Sequence, residues 1–503
     1  MKFPDLPMYA GFQRPGRFEA DVRDIEVVQG AIPHDLDGAF YRVGPDPQFP
    51  PLLGTDIPLN GDGMVSMFRF ENGRAHFRNR WVRTPKFIAE REAGEPLFGA
   101  YRNPFTDDPR VANVCGGTAN TNVLWHGGKL LALKEDSHPV EIDPITLDTI
   151  GPWSYDGALT SETATAHPKI DPRTGSLVFF GYAARGEATN DIAYYEADAS
   201  GNIVFEKWFE APYSAMLHDF GVTENYLIFP LFPLVSDLQR LKDGHPYFEW
   251  NPEKPMYLGV VRRRDPEAKI NWYVGPARFA SHTMNAFEQD GKLHVDMPVG
   301  DACVFPFFPE INGADFDPDA AVPYVSRWTI DLTSPSTDFS LNRLCDIPGE
   351  FPRIDERSST LGYRYGFVCL QETVQDPTLP GSFTGLRFSK LGRVDHRTGE
   401  LTTHYVGDAS ATQEPIFVPR PNSVDEGDGY LLVLVNRYAE MRSDLLILDA
   451  QRLDEEPVAT LALPLRLRNG LHSTWISGED LTAAEADHSR LERTHAHTAG
   501  RNL

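Results

Sequence analysis

The stretch TATAHPKIDPRTGSLVFFGYA, residues 163–183, decides how the rest of the chain is read. It holds a histidine, a turn written DPRTGSL (171–177), and then an apolar run rich in Val, Phe and Tyr. Turn residues with a glycine between two such runs announce a β-hairpin. The same grammar returns along the chain. His218 in SAMLHDFGVT precedes YLIFPLF (226–232), and His282 in ASHTMNAFEQDGKLHVD precedes KLHVDMPV (292–299). Further strand-like runs are KLLALKE (129–135), AYYEAD (193–198), YVSRWTID (324–331), YGFVCLQE (365–372), GYLLVLVNRY (429–438) and SDLLILDA (443–450). DASGNI (198–203) and DHRTGEL (395–401) read as further hairpin turns. Short strands at regular spacing, bounded by turn residues, mean an all-β sandwich, barrel or propeller. The chain has 503 residues, which suits a propeller of six to eight four-stranded blades at roughly 45–65 residues each.

Amphipathic helices are expected only at 233–242 and 479–494. With no linker-like stretch to divide it, the chain reads as one domain over 1–503, with a C-terminal helix and solvated tail from about 479. His495 and His497 fall in that tail and are read as surface residues.

Composition narrows the function. The formal charge is −25, which argues against nucleic acid and anionic membranes as main partners. Four cysteines, Cys115, Cys303, Cys345 and Cys369, form no CxxC pair and read as buried, reduced thiols. No run of 18 apolar residues and no leader-like N-terminus are seen, so a cytoplasmic protein without stable membrane insertion is expected.

Four of the 15 histidines carry context: His167, His218, His282 and His472. The steps of 51 and 64 residues equal one blade each, and the step of 190 fits three or four. Equivalent points on successive blades converge on a propeller axis, so four imidazoles could meet there. A metal-bound histidine normally gives its other N–H to a carboxylate. Glu135, Glu350 and Glu414 end strands in apolar or turn-rich settings and are candidates for that role, or else ordinary surface carboxylates.

The ordered set GAFYRVGPDP (38–47), NGDGMV (60–65), ANTNVLWHGGKLLALKED (119–136), AHPKID (166–171), LHDFGVTENYLIFP (217–230), HTMNAFE (282–288), GEFPRID (349–355), EPIFVPRP (414–421), EGDGYLLVLV (426–435) and LHSTW (471–475) resembles the carotenoid cleavage oxygenases, and within them the lignostilbene dioxygenase branch. The resemblance implies a seven-bladed β-propeller with a helical dome over its iron-bearing face. It implies one Fe(II), with O₂ as co-substrate, on His167, His218, His282 and His472. Glu135, Glu350 and Glu414 would orient the last three in that order. Thr121 matches a threonine near a vacant coordination position, and reads equally as a strand residue. Tyr101 and Lys134 match the pair that binds a substrate 4-hydroxyl. Lys134 precedes Glu135, so in a strand the two would point to opposite faces. A desolvated lysine can take a phenolic proton or pair with phenolate.

One position departs from the family: Leu59 stands where an aromatic usually packs on the substrate ring. Phe305, Phe307 and Phe308 are candidates to compensate. The expected activity is cleavage of the alkene of a phenolic 4-hydroxystilbene by O₂ to two aromatic aldehydes, by a possible homodimer. A carotenoid-cleaving relative, with FPLFPLV (229–235) as a membrane-facing patch, and a non-catalytic propeller scaffold are the rivals.

Overall fold

The structure is a computed structural model that describes residues 1–371 and 387–486. Seven antiparallel sheets of four to six strands stand around one axis as the blades of a β-propeller. Every strand-like run quoted above lies on a strand, and the three hairpin turns join neighbouring strands of one sheet.

The innermost strands run in blade order around the axis. They are Ser473–Ser477, Asn122–His126, Lys169–Asp171, Gly221–Val222, the broken strand Phe279–Ala280 and Asn285–Gln289, Gly349–Ile354, and the broken strand Ser410–Thr412 and Ile416–Pro419. The first of these comes from the C-terminal end of the chain. It pairs with Gly38–Pro45 and completes a sheet otherwise built from the N-terminal region. A second closure runs the other way. Glu26–Gly30 adds the outer strand to the last sheet by pairing with Ala459–Ala462. The ring is therefore latched at both its inner and outer rims, which leaves no open gap between first and last blades.

The blade faces pack through apolar residues. Phe180, Phe220 and Phe229 are fully buried and meet ring to ring between two adjacent blades, with centroids 4.8–5.8 Å apart. The segment 229–235 belongs to this core: Phe229, Leu231, Phe232 and Leu234 are buried. It offers no membrane-facing patch, contrary to the carotenoid-cleaver rival. Among the described residues no helix is long and apolar enough to cross a membrane.

Long connections close over one end of the axis. One carries the helix Pro85–Ala93, capped by the Thr84 side chain and ended at Gly94 in a left-handed conformation. Its length, nine residues with a weak apolar stripe, kept it out of the sequence reading. The helix expected at 233–242 is confined to Leu238–Lys242, started by the Asp237 side chain. Leu234–Val235 pairs instead with Glu249–Trp250, because burying Leu234 in that small sheet outweighs helical continuation. At the C-terminus residues 478–486 are helical, and the remainder of the expected helix and the tail with His495 and His497 lie outside the described residues. Of the cysteines, Cys303, Cys345 and Cys369 are buried, but Cys115 is exposed because it sits in a surface connection rather than a strand.

Gly38 sits at the inner latch with φ +149°, opposite Ser477. A Cβ there would collide with the Trp475 ring and the Ile476 carbonyl. Gly38→Ala is expected to cost about 3 kcal/mol in a denaturant melt. Gly54→Ala, at φ +82° with open space around it, should cost only about 1 kcal/mol.

Candidate metal centre

Each blade delivers one residue to the same level of the axis. His472, Thr121, His167 and His218 immediately precede or closely lead their blades' inner strands. His282 lies in the break of the fifth inner strand, Glu350 starts the sixth, and Glu414 lies in the break of the seventh. Convergence of homologous positions is what a propeller axis imposes. The four imidazoles thereby come together, with one ring nitrogen from each lying within 4.8 Å of the others. The Nε2 atoms of His167 and His218 are 3.0 Å apart.

Three of the rings are aimed by carboxylates. His218 Nδ1 meets Glu135 Oε2 at 2.7 Å, His282 Nδ1 meets Glu350 Oε2 at 2.6 Å, and His472 Nδ1 meets Glu414 Oε1 at 2.8 Å. A carboxylate on Nδ1 makes that nitrogen the N–H donor and leaves Nε2 as a lone pair. His167 has no carboxylate in hydrogen-bond range; Asp219 is 3.9 Å from its Nδ1. Burial and the three neighbouring imidazoles hold the His167 pKa well below the usual histidine range, so the ring is neutral. Several inward lone pairs crowded into one buried space repel one another unless a cation sits between them. Metal–nitrogen bonds of about 2.1 Å set at right angles place their nitrogens about 3 Å apart, which is the spacing of His167 and His218. The donor set and its orientation fit a divalent transition metal with imidazole ligands.

The carboxylates are themselves held. Burial raises the Glu135 pKa, but His218, Arg102 and Lys134 outweigh it and bring it to about 2. Burial likewise works against Glu414, and Arg353, His472 and Ser473 bring it to about 2. Ser473 Oγ donates to Glu414 Oε2 at 2.7 Å, and Arg353 Nη1 lies 3.4 Å from the same oxygen. Tyr182 Oη donates to Glu135 Oε1 at 3.1 Å. Both glutamates are therefore anionic acceptors at neutral pH.

A mostly apolar cavity opens onto the histidines under the long connections. Leu59, Tyr101, Thr121, Lys134, Glu135, Phe305 and Phe307 line it together with His218, His282, Glu350 and His472. Phe308 does not line it; its ring packs behind Phe305, Phe307 and Tyr101. Lys134 is 3% exposed, and its Nζ sits 4.6 Å from the Tyr101 ring centroid and 3.3 Å from Asp136 Oδ2. Burial first, and then Glu135, hold the Tyr101 phenol well above its usual range, so it remains a proton-bearing donor. Lys134 and Glu135 do not point to opposite faces. The strand ends at Leu133, and beyond it the period of two no longer applies, so both side chains reach the cavity.

The profile of the retinal pigment epithelial membrane protein (RPE65) family matches residues 13–477. The chain belongs to this family, the carotenoid cleavage oxygenases. A family member from Sphingomonas paucimobilis, lignostilbene-alpha,beta-dioxygenase isozyme III, is 46% identical over 96% of this chain and 99% of its own. Isoeugenol monooxygenase of Pseudomonas nitroreducens is 46% identical over 93% of this chain and 98% of its own. The crystal structure of Pseudomonas brassicacearum lignostilbene dioxygenase superposes with a TM-score of 0.91, at 42% identity, over 95% of this chain and 100% of that one.

Several residues at this carotenoid cleavage oxygenase site were not singled out from sequence. Arg353 was readable in GEFPRID, three residues after Glu350. Phe351, with φ +56° and its ring stacked on His282 at 5.4 Å, had no sequence signal, since nothing marks a phenylalanine for the left-handed region. Met216, Phe388, Gln413 and Asn469 enter the cavity from four distant segments.

Glu414→Ala leaves His472 Nδ1 and Arg353 without their shared acceptor. It is expected to weaken metal binding about 10–100-fold in competition with a chromophoric chelator, with Glu414→Gln retaining more.

Proposed function

We propose that this protein is an iron-dependent dioxygenase that cleaves the central alkene of 4-hydroxystilbenes into two aromatic aldehydes. The observation that carries the reading is the buried Tyr101–Lys134 pair in the cavity that reaches His218, His282 and His472 of the histidine cluster. Relatives of this chain are named for lignostilbene and for isoeugenol.

Iron would be held by His167, His218, His282 and His472, with Glu135, Glu350 and Glu414 fixing the last three rings. Iron(II) in an all-imidazole set supplies the binding and activation of dioxygen. Everything else falls to side chains of the chain. Tyr101 donates a hydrogen bond to the substrate's 4-oxygen, and the Lys134 ammonium pairs with that oxygen and favours its ionised form. Electron density from the phenolate passes through the ring to the alkene, which becomes nucleophilic. Leu59, Phe305 and Phe307 pack on the rings and exclude water, and Phe351 closes the cavity beside His282. Leu59 offers an apolar contact without stacking, which leaves more room over the phenolic ring than an aromatic would. Thr121 narrows the space beside His472, whose N–H its carbonyl accepts at 3.2 Å. In the balanced reaction one O₂ is consumed, the carbon–carbon double bond breaks, and each former alkene carbon leaves as an aldehyde carrying one oxygen atom.

A buried lysine at the cavity end, held by Asp136, suits a phenol oxygen better than a wholly apolar polyene, which offers it no acceptor. The carotenoid rival therefore has no support from this cavity.

Aerobic incubation of the iron-loaded protein with a 4-hydroxystilbene and its 4-methoxy analogue tests the reading. Loss of stilbene absorbance and two aldehydes by mass are expected for the hydroxy compound alone. Cleavage of both at equal rates would overturn the phenol-activating role. Lys134→Met should lower the rate on the hydroxy compound about a hundredfold or more, and chelation of iron should abolish it.

A further inference from the structure

Behind the cavity wall lies a guanidinium that the proposed reaction does not use. Arg102 follows Tyr101 directly and has φ +57°, and its guanidinium stays near the Tyr101 hydroxyl. Tyr101 faces the cavity, whereas the Arg102 side chain is 3% exposed and packs among Tyr247, Tyr182 and Phe248, at 4.6, 5.1 and 5.4 Å from their ring centroids. Its Nη1 donates to Tyr182 Oη, which donates in turn to Glu135 Oε1 at 3.1 Å. Nη1 itself is 3.7 Å from that carboxylate oxygen. The other oxygen, Oε2, holds His218.

We propose that Arg102 is a positioning residue that acts through Tyr182 and Glu135 on His218. The proposal rests on reading the four histidines as an iron centre. Glu135 stands between three donors: His218, the Arg102–Tyr182 pair, and the adjacent Lys134 on the same cavity wall. Tyr182 and Arg102 lie at Oε1 and His218 at Oε2, which fixes the orientation of the Glu135 carboxylate between those partners. Lys134 is left with Asp136 and the Tyr101 face. Opening Oε1 would let the carboxylate swing toward Lys134, so that His218 loses its anchor and the substrate oxygen loses its cation together. One backbone turn thus ties the phenol-binding tyrosine to the residue that steadies the metal ligand's carboxylate.

The test uses Tyr182→Phe, which keeps the ring against Arg102 and removes only the hydroxyl, together with Arg102→Met and the double variant. Each is assayed for Fe(II) affinity by chelator competition, for apo-protein melting, and for cleavage of the 4-hydroxystilbene. Tyr182→Phe is expected to weaken iron binding about tenfold while the apo melting temperature stays that of the wild type. Because both residues act through one carboxylate, the double variant should lose no more affinity than Arg102→Met alone. Should Arg102→Met fail to fold, Arg102→Lys takes its place in the cycle. Additive losses, or wild-type iron affinity in Tyr182→Phe, would overturn the proposal. Wild-type protein that binds no iron would overturn the metal reading itself, and is distinguished by that control.

Discussion

Four imidazole rings share one buried point, and their inward lone pairs must be reconciled. That constraint organises the molecule. The rings cannot retreat, because each is carried at the start or break of an inner blade strand, and seven blades latched at two rims fix those strands around the axis. They cannot turn, because three are pinned at Nδ1 by glutamates. A cation on the axis relieves the crowding. The propeller is therefore a device for delivering side chains from segments hundreds of residues apart to a common centre with rigid backbone behind each.

Around that centre charge is sorted rather than merely balanced. Glu414 is committed to His472, Ser473 and Arg353, and Glu135 to His218, Tyr182 and Arg102. On the cavity side stand the Tyr101 phenol and Lys134, the latter paired with Asp136, at one end of an otherwise apolar space. In the proposed reaction, specificity for a phenolic alkene would come from the placement of these two side chains. Iron by itself would not select it.

Much of the blade architecture was legible because its signals are local. Val-, Tyr- and Phe-rich runs with DPRTGSL-type turns mark hairpins, and their number over 503 residues favours a propeller over a sandwich. The histidine-before-strand grammar marked His167, His218 and His282 because each occupies the same place in its blade. The failures were also local in kind. The stretch 233–242 carries helical spacing, yet its apolar half is claimed by pairing with Glu249–Trp250, a partner the local pattern does not contain. The alternation rule for Lys134 and Glu135 fails because the strand stops one residue earlier.

The sequence by itself determined which residues could do the chemistry: four histidines, three glutamates, a tyrosine and a lysine in an ordered set. It also determined the repeating hairpins that place them: hairpins and histidines rest on residue type and near-neighbour spacing, while Tyr101, Lys134 and the pairing of each glutamate with a histidine rest on the resemblance carried by the ordered set. Only the tertiary structure decided which glutamate meets which oxygen of its neighbours, that Arg102 and Tyr182 stand behind Glu135, and that Phe351 turns back onto His282. Those contacts join segments from different blades. Their distances are set by the closure of the ring and the packing of the long connections over it, which no local spacing encodes.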